Sequence, residues 1–183
     1  MRASYLLRNF GVIVAFIIGV PSCKFGSERP SVPPLNFTAT PVKASFLEGE
    51  KVAFRFAIKN EGQSDVLVSP AFALNYDIYL DVRTSAGKPI SWCGINARRI
   101  FLGDKFEKLG AGKSLGTERQ VSCDDSQESG YVFPGPGEYS ITATYRFPVS
   151  PKKLRDNPGP IPFASGPYEA EKAHFTIVAK ARL

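Results

Sequence analysis

The sequence predicts an all-β domain, an antiparallel sandwich of seven or eight short strands. Three observations carry this. Several stretches alternate apolar and polar residues with period two. In the clearest, Tyr139, Ile141, Ala143, Tyr145 and Phe147 share one face, and Ser140, Thr142, Thr144 and Arg146 share the other. That is the pattern of a strand with one side in a core and one in water. Turn-forming residues interrupt the chain about every 8–15 residues, the rhythm of a sandwich. No stretch repeats apolar residues at helical spacing over a helical length. The 14 Phe and 7 Tyr supply apolar surface for a core, which excludes disorder throughout.

In chain order, residues 36–46 read as a first strand, bent or interrupted at Pro41, which an edge position tolerates. Glu48, Gly49 and Glu50 form a turn. Residues 51–59 then alternate, with Val52, Phe54, Phe56 and Ile58 on one face and Lys51, Arg55 and Lys59 on the other. Asn60, Glu61 and Gly62 turn the chain again, and Val66 to Val68 make a short strand stopped by Pro70. Residues 76–83 place Tyr76, Ile78, Leu80 and Val82 inward, against Asp77, Tyr79, Asp81 and Arg83. Residues 85–88 make a hairpin turn and residues 89–93 return. Residues 98–102 read as a short strand, 109–114 as a turn and 115–121 as a weaker strand. An aromatic run at Tyr131 and Phe133 and a Pro-Gly bend at 134–137 lead into the strand at Tyr139. Residues 173–180 close the fold, with Phe175 and Ile177 inward. Between these last two strands, residues 148–167 hold six of the chain's 15 prolines. No ladder is expected through such a stretch, and connections this long are typically functional or disordered.

The N-terminus carries a separate signal. Arg2 and Arg8 precede an apolar stretch of 11 residues from Phe10 to Val20, followed by Pro21, Ser22 and Cys23. Basic, apolar and small regions in that order make a secretory signal peptide. The apolar stretch is too short to span the bilayer, which takes about 20 residues. Val20, Pro21, Ser22 and Cys23 resemble the bacterial lipobox, although Pro21 stands where a small residue is usual. The resemblance implies that Cys23 carries lipid such as palmitate and becomes the new N-terminus. It also implies a membrane contact through that anchor. Lys24 stands where aspartate is associated with inner-membrane retention, so the expected location is the cell envelope, at the outer membrane. Residues 24–35, with Pro30, Pro33 and Pro34, are an extended tether. The expected organisation is therefore a signal peptide at 1–23, a tether at 24–35 and a sandwich at 36–183.

Gly137, Glu138, Tyr139, Ser140 and Ile141 resemble the tyrosine corner of immunoglobulin-like sandwiches, in which a tyrosine at the start of strand F bonds its hydroxyl back to the chain upstream. Ile141 stands where antibody domains have cysteine. The resemblance implies an immunoglobulin-like architecture in which Tyr139 opens strand F, residues 173–180 are strand G and residues 148–172 connect them. A second, looser resemblance rests on residues 108–114, Tyr131, Val132, Phe133 and residues 136–139. These are similar to the β-domain that precedes some secreted metalloendopeptidases. The catalytic part of those proteins needs HExxH; the sole histidine here is His174, so that activity is not implied.

Removing residues 1–23 takes away two basic residues and no acidic ones, so 21 Lys+Arg remain against 17 Asp+Glu and the formal charge is +4. With only the dipeptides Arg98, Arg99 and Lys152, Lys153, no basic stripe for nucleic acid is present. If Cys23 is acylated, Cys93 and Cys123 are left as a pair. They form a disulfide or stand as two buried thiols. Trp92 packs against that disulfide or stands as an exposed anchor. One His, one Met and no CxxC give no zinc or copper site. Asp124, Asp125 and Glu128 lack the spacing of a calcium loop. No GxSxG elbow accompanies His174, so no catalytic residue, metal or cofactor is expected. The expectation is a binding or structural envelope module that meets a protein partner through residues 148–167, with Lys152, Lys153, Arg155, Phe163 and Tyr168 as contact residues. The alternatives are an immunoglobulin-like protease inhibitor and a hydrolase with carboxylates in its loops.

Overall fold

The computed structural model describes residues 33–94, 106–123, 129–146, 161–162, 164 and 166–181. The chain divides into two units, Met1–Ser31 and Val32–Leu183, and every described residue belongs to the second. Its elements are β1 (Leu35–Pro41), β2 (Ser45–Leu47), β3 (Ala53–Asn60), β4 (Val66–Val68), β5 (Ile78–Thr84), β6 (Glu107–Leu109), β7 (Ser114–Gln120), β8 (Gly137–Tyr145), β9 (Tyr168–Glu169) and β10 (Ala173–Val178). None of the described residues is helical.

Two sheets face each other. One runs β1-β3-β7. The other runs β2-β10-β8-β5, with β9 added to the end of β8. A small pair, β4-β6, stands beside them. With β8 as strand F, these are the A-B-E and G-F-C layers of an immunoglobulin-like sandwich, and the fold is all-β.

The predicted first strand is split, and its halves lie in different sheets. β1 pairs antiparallel with β3 as far as Pro41 opposite Phe54. After a bend, β2 runs parallel to β10, with Phe46 beside Ile177. Proline's missing N–H ends the first ladder at no cost on a free edge. The bend also changes which positions face inward: Phe37 and Ala39 are buried before it and Phe46 after it.

The period-two pattern of β3 holds along its length. Val52, Phe54, Phe56 and Ile58 are buried and face Tyr139, Ile141, Ala143 and Tyr145 of β8, with Phe175 and Ile177 of β10. Aromatic rings fill the layer between them. Phe175 meets Phe54 edge-on at 5.6 Å and Phe46 at 5.8 Å, and Phe37 lies 5.6 Å from Tyr145. Each such pair adds about 0.5–1.5 kcal/mol beyond the area it buries.

Several expectations give way. The strand expected from residue 76 begins at Ile78, because Asp77 turns inward instead of facing water. Its carboxylate accepts bonds from the Ala73 N–H at 3.0 Å and the Ser69 hydroxyl at 3.3 Å, which closes the 73–78 turn. Asn60, expected on a surface turn, is also fully buried. Leu109 belongs to a strand, β6, that the turn composition around it concealed. Residues 89–93 return only as single bridges at Pro89 and Trp92. Among the described residues of 148–167 no strand is present, but two backbone bonds reach β4. Leu67 donates to the Pro162 carbonyl and accepts from the Ala164 N–H, at 2.9 and 2.8 Å. Proline cannot donate, but its carbonyl can accept. Residues 98–102 and 147–160 lie outside the described residues.

Candidate functional site

Two tyrosines and a disulfide organise the end of the sandwich where β3 begins and β10 finishes. The Tyr139 hydroxyl donates to the Gly135 carbonyl at 2.6 Å, the upstream bond of a tyrosine corner. Gly135 has φ +136°, a conformation that glycine adopts freely and other residues do not. Burial raises the Tyr139 pKa.

Tyr131 makes a second clamp of this kind. Its hydroxyl donates to the Leu80 carbonyl at 2.6 Å. Burial, and then the negative charge of Asp81, push its pKa up to about 12. The backbone around Tyr131 is held on both sides. The Cys93 N–H donates to Gly130 at 2.9 Å and the Val132 N–H to Ser91 at 3.0 Å. On the other side, the Tyr131 N–H donates to Val121 at 2.7 Å and the Cys123 N–H to Tyr131 at 3.0 Å. Cys93 and Cys123, with Cα atoms 6.4 Å apart, are joined as a disulfide. The bond therefore ties together the two segments that flank Gly130 and Tyr131. A side chain at residue 130 would meet the Ser122 carbonyl carbon at 2.6 Å, so the close approach requires glycine. Trp92 is half-buried, and its ring meets the Tyr131 ring edge-on at 5.1 Å. It packs on the residue the disulfide brackets and is not an exposed anchor.

Beside this clamp lies a cleft of about 200 Å³ lined by Leu47, Glu48, Val52, Tyr131, Val132 and Phe133, among others. The turn that forms one wall is fixed by Glu50. Its carboxylate pairs with Lys43 and accepts from the Leu47 N–H at 2.8 Å, and its own N–H donates back to Leu47 at 2.9 Å. The bond from Lys43, then that from Leu47, hold its carboxyl below the usual carboxylate range. Together the two Glu50 bonds satisfy the outward N–H and C=O of an edge strand, groups that otherwise invite another chain to pair.

A second groove, of about 540 Å³, runs between β1 and residues 169–174. It is lined by Asn36, Thr38, Thr40, Glu169, Glu171 and His174, among others. His174 is exposed on β10 opposite Ser140. Among the described residues no group of three or more His, Cys, Asp or Glu side chains is placed to hold a metal ion.

The remaining expected site residues separate into two groups. Cys23, Lys152, Lys153, Arg155 and Phe163, with Asp124, Asp125 and Glu128, lie outside the described residues. Tyr168, expected on the contact loop, is a core residue. It pairs with Tyr145 across β8 and β9, and the two rings lie 6.4 Å apart. Burial pushes its pKa up to about 12. The residue belongs to the fold because β9 extends the ladder of β8 by two residues past the cis Gly166–Pro167 bond. Leu47, Glu48 and Val132 were not singled out from the sequence. One signal was present: Leu47 stands at an outward position of its strand, where a polar residue is usual.

No protein-family model matches the chain, and no curated protein is similar to it. Among solved structures, it is similar to the CARDB domain of the PF1109 protein from Pyrococcus furiosus, described in complex with di-metal ions. The identity is 12%, over 82% of this chain and 90% of that one, with a TM-score of 0.35. A solution structure of the same domain matches at 13% identity, over 79% and 94%, with a TM-score of 0.32.

Proposed function

We propose that the protein is an exported, lipid-anchored sandwich that serves as a binding or structural module of the cell envelope. The observation that carries this reading is the Cys93–Cys123 bond. A disulfide in a small domain suits an oxidising compartment, because cytosolic reductants keep thiols reduced. The leader sequence supports the same placement. Arg2, Arg8 and the apolar stretch from Phe10 to Val20 suit export, and Cys23 follows at the lipobox-like site. A lipid on Cys23 with a proline-rich spacer would hold the sandwich off the membrane by up to about 37 Å, at roughly 3.1 Å per extended residue. Work at the surface of the domain is then binding, with affinity set by contacts rather than by a reaction.

Mass spectrometry of the mature protein extracted from the envelope tests the reading in one measurement. The expected species begins at Cys23, carries the mass of acyl chains there, and is two hydrogens lighter than its reduced form. An intact Met1, an unmodified Cys23, or free thiols at 93 and 123 would sink it.

A further inference from the structure

Among the described residues four large apolar side chains are exposed: Val42 at 40%, Leu47 at 49%, Val132 at 53% and Val178 at 39%. All four lie at the same end of the sandwich. Val42 bonds to Ala53 at the start of β3, Leu47 and Val178 are neighbours across β2 and β10, and Val132 follows the Tyr131 clamp. The chain enters the sandwich at the other end, where the Glu61 N–H bonds to the Pro34 carbonyl. Single exposed aliphatic residues need no explanation, but contiguous ones mark a contact surface, and Leu47 and Val132 line one cleft.

The cleft turns this surface into one with a definite preference. Leu47 and Val132 stand on its rim, and Phe133 and Val52 line it. Its volume of about 200 Å³ suits one or two side chains of an entering segment. The walls do not shift easily, since the disulfide, Tyr131 and Glu50 fix them. Three charged side chains line the cleft, Glu48, Glu50 and Lys51, and Lys51 is engaged elsewhere; Glu48 supplies the charge left to a ligand. It is exposed, makes no ion pair among the described residues, and its Oε1 lies 3.6 Å from where a Cβ on Gly135 would stand. Its carboxylate therefore reaches over the cleft toward the opposite wall. The neighbouring carboxylate, Glu50, is already satisfied by Lys43 and Leu47.

We propose that this cleft is a docking site for an extended protein segment that presents an aliphatic side chain next to a lysine or arginine. The aliphatic group fills the space between Leu47, Val132 and Phe133, and the cation pairs with Glu48. The inference rests on the reading of the domain as a binding module, and it assigns that module a surface and a partner chemistry. The proposed site is at the end of the sandwich away from Pro34.

The test uses the full chain, isotope-labelled, titrated with three short synthetic peptides that differ only at a central pair: Leu-Arg, Leu-Glu and Ser-Arg. The expected result is fast-exchange shifts of the amides of Leu47, Gly49, Val132 and Gly135 with Leu-Arg, binding at least fivefold weaker for Ser-Arg, and binding weaker by up to about fivefold for Leu-Glu. Glu48→Lys should invert the preference between Leu-Arg and Leu-Glu, by about fivefold or less each way if the pair is worth what exposed pairs usually are. Leu47→Ser should weaken both Leu-containing peptides with no change in thermal stability. Shifts elsewhere on the domain, or equal binding of all three peptides, would overturn the proposal. So would concentration-dependent self-association abolished by Leu47→Asp, which would make a second copy the occupant. The titration does not depend on acylation. Loss of the lipid with selective peptide binding retained would remove the anchoring reading and leave this one standing, and the reverse pattern would do the opposite.

Discussion

Replacing Asn60 with alanine should cost the domain about 3 kcal/mol, and the structure says where the loss arises. Asn60 ends β3 and is fully buried. Its side-chain amide donates to the Ser64 carbonyl at 2.8 Å and the Leu109 carbonyl at 3.0 Å, and its oxygen accepts from the Gly62 N–H at 3.0 Å. One side chain thus holds the 60–64 turn closed and fastens it to the end of β6. Its backbone bonds, to Lys113 at 2.9 Å and from Gly112 at 2.8 Å, do not depend on the side chain and should survive. Three lost bonds at about 1 kcal/mol each give about 3 kcal/mol, and the abandoned Leu109 carbonyl adds to that. For a domain of this size, 1 kcal/mol corresponds to roughly 2–4 °C, so the melting temperature should fall by about 6–12 °C. Urea unfolding followed by Trp92 fluorescence measures the change directly, with the slope against denaturant unchanged. Asn60→Asp should be no better than alanine, because it keeps one acceptor, loses both donors and buries a charge. A loss below about 1 kcal/mol for alanine would refute the reasoning, since water would then be replacing the amide.

Other outcomes follow from the same structure. Cys93→Ser with Cys123→Ser opens a loop of 30 residues and should cost about 3.5 kcal/mol in urea unfolding, with the gain in hydrogen exchange concentrated at residues 129–133. Tyr139→Phe removes a single bond to Gly135 and should cost about 1 kcal/mol by the same measurement, leaving the circular dichroism spectrum unchanged. Gly130→Ala drives a methyl into the backbone of Ser122 and Cys123 and should destabilise by about 1–3 kcal/mol; a neutral result would mean that this segment is not tightly held. Tyr131 and Tyr168 have pKa values pushed from 10.0 to about 12. The unfolded chain therefore loses these protons first as pH rises. The stability they lend is whole below about pH 10 and declines between pH 10 and 12. Absorbance of tyrosinate during an alkaline titration should show these two ionising late and together with unfolding.

The strands with one wet face were readable because their alternation records burial directly. β3 and β8 show it without a break, since each has a core on one side only. Legibility failed where a polar residue was buried for its bonds. Asp77 and Asn60 look like surface residues by type, and only the carbonyls and N–H groups brought to them from distant positions reveal otherwise. It failed again at Tyr168, because proline composition marks a break in pairing but not the point at which pairing resumes. The candidate cleft was not legible at all. Its walls come from residues 47–52 and 122–135, and nothing in either stretch announces the other.

Taken alone, the sequence determined the all-β class, the two central strands, the tyrosine that closes the corner and the cysteines available to pair. These are local or compositional facts: a period, a bend, a count. The tertiary structure decided how the first segment is shared between two sheets, which polar side chains are buried, and that Leu47, Glu48 and Val132 meet around one cleft. Those depend on which strands become neighbours, and neighbours in a sandwich are chosen by contacts between residues far apart in the chain.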